Sequence, residues 1–210
     1  MDYQDIYLYF HDSVYYRPLL AFELLGLDVR PIFGVRGRSA GRVAFEKDQV
    51  NIDFQTTPAY LEKVIPLVEE GKALPIFSLG LLDDTGKLVR DPAFPDLPHF
   101  GEVYASIHDA NPRGPAWDSW LAFFTAGFGA QKFLVISKDT PITIRQAYKN
   151  AIESMLEDNE YQKQKSLVLS NYEQVTGETA VRLYELGTDV PDEAKCWMRA
   201  WLRREFKLNI

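Results

Sequence analysis

The stretch from Val29 to Thr57 constrains the fold more than any other part of the chain. Val29–Phe33 is mostly apolar, holds Val and Ile, and reads as a strand. Gly34-Val-Arg-Gly-Arg38 follows as a turn with two glycines and two cations. Ser39 is placed to cap a short helix over Ala40–Lys47. Val50–Phe54 then reads as a second strand. Strand, helix and strand in so short a span predict a βαβ unit with a parallel strand pair, and hence an α/β fold class. The turn after the first strand opens at its carboxyl end, where α/β sheets place their ligands.

That turn has simple chemistry. The first N–H groups of a helix lack intrahelical partners and carry partial positive charge. Backbone groups around Gly37–Ala40 can therefore hold a carboxylate or phosphate. Arg36 and Arg38 flank them, and a guanidinium meets a carboxylate with two parallel hydrogen bonds. Arg36, Gly37, Arg38 and Ser39 are thus candidate anion ligands, set against an ordinary turn with solvated arginines. The spacing of Gly34, Gly37 and Gly41 excludes a dinucleotide fingerprint, and no G-x-x-x-x-G-K-[ST] is present. Gln55, Thr56 and Thr57 lie past a strand end and before a helix, placed to hydrogen-bond a ligand or simply to cap. Asp53 orients the turn or meets a polar ligand group.

Composition narrows the class. Of 210 residues, 46% are hydrophobic and 25% charged, as in ordinary globular proteins. The net charge of -7 and the lack of a basic tract argue against a nucleic-acid partner. Cys196 is the one cysteine, so no internal disulfide is available, and it is expected in the core or at an interface. No run approaches the ~18 apolar residues of a membrane span. Met1–Asp5 lacks a signal-peptide pattern, which taken alone predicts a chain that stays where it is made.

Along the chain, Ile6–Phe10 reads as a further strand. Asp12 or Ser13 is placed to cap a largely buried helix that includes Pro18 and stops at Gly26. His11–Ser13 is a second candidate ligand-facing loop. Thr56 or Thr57 caps a helix that Pro66 should kink and Gly71 should end. Leu74–Leu79 reads as a strand and Leu81–Leu97 as loop, with a turn at Asp84-Thr-Gly86. The aspartates at Asp83, Asp84, Asp91 and Asp96 lack calcium-loop spacing. His99–His108 reads as a helix. Trp117, Trp120, Phe123 and Phe124 are expected in the core. Lys132–Ser137 reads as a strand, and helices are expected over Ile142–Leu156, Asp158–Ser170, Thr179–Leu186 and Asp192–Phe206. No nucleophile elbow is present, and the histidines His11, His99 and His108 are scattered, so no catalytic role is expected.

The order of several short motifs resembles the C-terminal portion of the tripartite tricarboxylate transporter substrate-binding proteins, the Bug-type solute receptors. Val29–Ala40 resembles the family's ligand-facing strand and turn. Gln49-Val-Asn-Ile-Asp53 resembles its G-x-V-D strand. Glu70-Gly-Lys-Ala-Leu-Pro-Ile76, then Phe94-Pro-Asp-Leu-Pro98 and Glu102, resemble a G-K-x-R-x-L-A stretch followed by L-P-D-V-P-T-x-x-E. Thr140-Pro141, Leu156-Glu-Asp158 and Thr176-Gly-Glu178 resemble its late helix boundaries. The lysine-tyrosine turn of the family is replaced here by Val35-Arg36-Gly37-Arg38.

The resemblance implies a two-lobed, periplasmic-binding-protein-like type 2 fold with the leading part of the first lobe missing. Residues 1–74 would form the second, ligand-facing lobe, and residues 75–210 the returning part of the first lobe with the final helices. It implies capture of a small carboxylate by Arg36, Gly37, Arg38, Ser39, Asp53, Gln55, Thr56 and Thr57, and delivery to a membrane permease. It implies a periplasmic location, no cofactor and no direct membrane insertion. Missing leading strands would leave Trp117, Trp120, Phe123, Phe124 and Phe128 partly uncovered. The competing expectation is a cytosolic effector-binding or interaction module of similar fold with no transport role.

Overall fold

The computed structural model of the chain describes residues 6–10, 16–34, 37–129, 133–169 and 174–209. The described elements form a mixed α/β structure that is mostly helical. β1 (Ile6–Phe10) and β2 (Val29–Phe33) run parallel, with Ile6 opposite Val29 and Phe10 opposite Phe33. The helix between them, α1 (Tyr16–Leu24), makes this the βαβ unit. The parallel pair therefore lies one element earlier than the sequence reading placed it. Val50–Phe54 joins no ladder among the described residues and bends at Asn51. Pro31, in the middle of β2, removes a ladder donor and suits an edge strand, not a central one.

α1 is apolar almost all round. Its residues 17–22 are buried, including Pro18 in the first turn. Gly26, at φ 71, ends it as expected: Leu27 N–H reaches back to Phe22 and Gly26 N–H to Glu23, a Schellman closure. α2 (Arg38–Glu46) follows β2. Its N-cap is Gly37, with no side-chain cap, so Ser39 falls inside the first turn and is not the cap.

α3 (Thr57–Ala59), a π-turn over Tyr60–Val64 and α4 (Ile65–Glu69) make one interrupted helix. Pro66 has no N–H to continue the ladder, and the widened turn lies directly before it. Gly71 closes this helix with the same pair of back-bonds, to Val68 and from Lys72 to Leu67.

Leu74–Leu79, read as a strand, forms only a single bridge between Ser78 and His99. Within the expected loop, β3 (Leu81–Leu82) and β4 (Leu88–Val89) form a small hairpin around the Asp84–Gly86 turn. α5 (Phe100–His108) and α6 (Pro115–Phe124) follow, and a second π-turn covers Thr125–Gly129. Of the strand read over Lys132–Ser137, Lys132 lies outside the described residues, and residues 133–137 are exposed and join no ladder among the described residues. A strand needs a neighbour, and local composition cannot supply one.

α7 (Ile142–Glu157), α8 (Asn159–Leu169), α9 (Gly177–Thr188) and α10 (Asp192–Phe206) agree with the expected helices to within a few residues, and α10 does so at both ends. Cys196 is exposed on α10, which corrects the expectation of a core position. No helix among the described residues is long and apolar enough to cross a membrane.

The core is an aromatic spine on α6. Trp117, Trp120, Phe124 and Phe128 fall at successive helical turns and lie ring on ring, with centroids 4.8, 4.9 and 5.6 Å apart. Trp120, Phe124, Phe100 and Leu20 are wholly shielded from solvent. The expectation that these rings would be partly uncovered is thus overturned at Trp120 and Phe124. α1 and α10 pack across this spine, through Leu19, Phe22, Met198 and Trp201. Only Phe123, on the opposite face of α6, is exposed.

Candidate functional site

The segment from Val50 to Thr56 crosses from the end of α2 to the start of α3 without regular secondary structure. Val50 is buried, Asn51 is exposed, and Ile52 to Thr56 are all half-buried, Asp53, Gln55 and Thr56 among them. Gln55 ties this segment to α2. Its Nε2 lies 3.2 Å from the Arg38 carbonyl oxygen and 3.0 Å from each carboxylate oxygen of Asp53. Burial pushes the Asp53 carboxyl up from its ordinary value. The hydrogen bond from Gln55, the Phe54 N–H and the nearby Arg42 partly offset that, while Glu46 adds to it.

Thr57, the first residue of α3, is buried, and its Oγ1 donates to Asp91 Oδ2 at 3.3 Å. Asp91 is also buried. Its Oδ1 accepts from the Ala93 N–H at 2.9 Å and its carbonyl from the Phe94 N–H, which pins the Asp91-Pro turn under α3. Thr56 is the N-cap by backbone conformation but makes no side-chain cap bond.

These groups surround one cleft of about 240 Å³. Arg38, Asp53, Gln55, Thr56 and Thr57 all line it, so five of the eight residues singled out from sequence are brought together. Gly37 and Ser39 do not line it, and Ser39 is exposed on α2. Arg36 and the loop His11–Ser13 lie outside the described residues.

Two charged residues that sequence reasoning passed over also line the cleft: Arg17 and Asp91. Arg17 is 6% exposed. A Cβ on Gly127 would come within 2.9 Å of its Nε and 3.0 Å of its Cζ, so the guanidinium lies against the backbone of the second π-turn. π-turns inside helices recur at functional sites. The available signal for Arg17 was its place in the first turn of a mostly apolar helix, where it is the one cation. The rest of the wall is mostly apolar, with Asn51 and Ser78 as polar exceptions and Phe22, Phe54, Phe77 and Phe128 among its rings.

A wider groove of about 430 Å³ runs between the end of α1 and α10. Its cation, Arg204, is paired with Glu23 and Glu205. That groove offers bulk volume but spreads its charge over neighbours at the surface. The smaller cleft combines buried charge, convergent hydrogen-bonding groups and an apolar wall, the usual make-up of a ligand site.

No family model, no curated protein and no solved structure matches the chain.

Proposed function

We propose that the chain is a solute-binding protein that holds a small carboxylate in this cleft. The observation that carries the reading is the convergence of Arg38, Asp53, Gln55, Thr56 and Thr57 on one cavity that also contains the buried Arg17. Guanidinium groups recognise carboxylates through paired N–H donors, and a partly dehydrated setting strengthens that contact. Gln55 and the two threonines supply further hydrogen bonds, and Asp53 fixes the Gln55 amide. Arg36 joins Arg38 in this role by the sequence argument alone.

The sequence resemblance extends the proposal. A tripartite tricarboxylate-type receptor would close two lobes around its ligand, divided near residue 74, and hand the solute to a membrane permease in the periplasm. The chain would then work by capture and release, without chemistry.

Binding to the folded state alone raises the melting temperature. At a hundredfold excess over Kd the gain is about 2.7 kcal/mol, or roughly 5–10 °C for a chain of this size. A panel of small mono-, di- and tricarboxylates, screened by thermal shift and followed by calorimetry, tests the reading. The expected result is stabilisation by at least one carboxylate, lost in Arg38→Ala. A panel that leaves the transition unmoved would sink the proposal.

A further inference from the structure

The cleft selects by charge and by shape together. Its wall holds two arginines, Arg17 and Arg38, and two aspartates, Asp53 and Asp91. Asp91 is committed to Thr57 and to the Ala93 N–H, and Asp53 to Gln55. A ligand with two or three carboxylates would bring like charge against these aspartates without cations to match it. The two guanidinium groups formally offset the two aspartates, so the wall is close to balanced before a ligand enters. That suits a single carboxylate. A guanidinium has five donors in a fixed fork, enough for a protein acceptor and a ligand carboxylate together.

The remaining wall sets the body of the ligand. Phe22 and Phe77 meet edge to face with centroids 6.4 Å apart, and Phe128 packs on Phe124 at 5.6 Å. Rings in such arrangements receive another ring favourably. The volume, about 240 Å³, is below the ~300–1,000 Å³ typical of drug-sized ligand sites, which leaves room for one ring and a short chain.

We infer, building on the carboxylate reading above, that the cleft takes a monocarboxylate bearing one aromatic ring, its carboxylate toward Arg17 and Arg38 and its ring among Phe22, Phe77 and Phe128. A polycarboxylate is the wrong ligand for this wall, and so is an aliphatic acid too small to reach the rings.

Calorimetry on the full chain with four probes tests this: phenylacetate, propionate, citrate and phenethylamine. Phenylacetate should bind at least about tenfold more tightly than propionate, with no binding of citrate or phenethylamine. Citrate or propionate binding as tightly as phenylacetate would overturn the ring-bearing monocarboxylate while leaving the carboxylate reading intact. Phenethylamine binding as tightly as phenylacetate would overturn both, as would silence from all four probes. Phe128→Ala should reduce phenylacetate to the level of propionate, and unchanged phenylacetate affinity in a folded variant counts against the inference. Should that variant fail to fold, the ranking of probes on the unaltered chain decides the matter.

Discussion

Gln55 grips the Asp53 carboxylate symmetrically, with its Nε2 at 3.0 Å from both oxygens. This contact works against burial. Burial raises the Asp53 carboxyl above its ordinary 3.8, and the Gln55 N–H donors pull it partly back. Between 3.8 and the folded-state value, the folded chain binds more protons than the unfolded chain. Stability therefore falls as pH rises through that window and is level above it. Asp53→Asn keeps an acceptor for Gln55 and removes the titration. The variant should gain on the wild-type chain as pH rises through the window and hold a constant advantage at neutral pH. Urea midpoints for both proteins over roughly pH 4 to 7 check this, and a difference independent of pH would refute it.

His99 caps α5 through its ring. Its Nδ1 accepts the Glu102 N–H at 3.3 Å, while the Glu102 carboxylate accepts the His99 N–H at 2.8 Å, a reciprocal capping box. The Arg90 guanidinium, followed by that His99 N–H, holds the Glu102 carboxyl down at about 2. Glu102 therefore stays ionised while His99 titrates. Burial lowers His99 below its ordinary 6.5, more than Glu102 raises it. The unfolded chain thus takes up this proton first, and stability is lost as pH falls below 6.5. Protonation would also convert the Nδ1 acceptor into a donor facing a donor. His99→Asn retains a capping oxygen and should match the wild-type chain near neutrality but resist acidification better. His99→Ala should cost about 1 kcal/mol at neutral pH through loss of the cap. Denaturation midpoints at neutral and mildly acidic pH separate the two effects.

Gly127 gives a way to move a cation without deleting it. The atoms nearest to a methyl group there would be Nε, Cζ and Cδ of Arg17, which belong to the far half of a flexible side chain and can shift. Ala in place of Gly within a helical turn is worth roughly 0.5–1 kcal/mol in its own right. Gly127→Ala is therefore expected to keep or slightly raise the melting temperature while weakening carboxylate binding by about tenfold, through a displaced guanidinium. Matched thermal melts and titrations check both halves. Undiminished affinity would remove Arg17 from the binding role.

What could be read from the sequence was local. The stops at Gly26 and Gly71, the start of α7 after Pro141 and the limits of α10 all follow from capping chemistry within a few residues. The helix read over His99–His108 begins one residue later, at Phe100, because His99 is its N-cap. The strands were harder. Val50–Phe54, Leu74–Leu79 and residues 133–137 have strand composition, but a ladder depends on what lies alongside, and among the described residues only β1 and β2 form a parallel ladder, with Ser78 and His99 making a single parallel bridge. The same division holds at the site. Arg38, Asp53, Gln55, Thr56 and Thr57 were visible because they flank one turn and one helix start. Arg17 and Asp91 reach the cleft only through the docking of α1 and the Asp91-Pro turn, contacts between segments far apart in sequence. Ser39 failed for a smaller reason: Gly37, at φ 80, starts the helix one turn position earlier and leaves the serine outside the cleft.

Gly80 and Gly114 have nearly the same positive φ and differ in their surroundings, which makes them a useful pair. Their φ values are 84 and 88, both in the left-handed region that disfavours a side chain. At Gly114 a Cβ would meet nothing within 4 Å. At Gly80 it would lie 2.8 Å from the Val89 carbonyl oxygen and 3.0 Å from both His99 Cβ and Leu88 Cδ1. The first of these is backbone of β4, and the second belongs to the residue that caps α5, so neither can swing aside as a side-chain tip would. Ala at either position should carry the conformational cost of about 1–3 kcal/mol. Gly80→Ala should cost clearly more, because the β3–β4 hairpin and the α5 N-terminus must separate to admit the methyl group. The Ser78–His99 bridge, two residues away, would be strained along with them. Denaturant midpoints for the two variants provide the comparison, and equal losses would show that the hairpin can shift to accept the substitution.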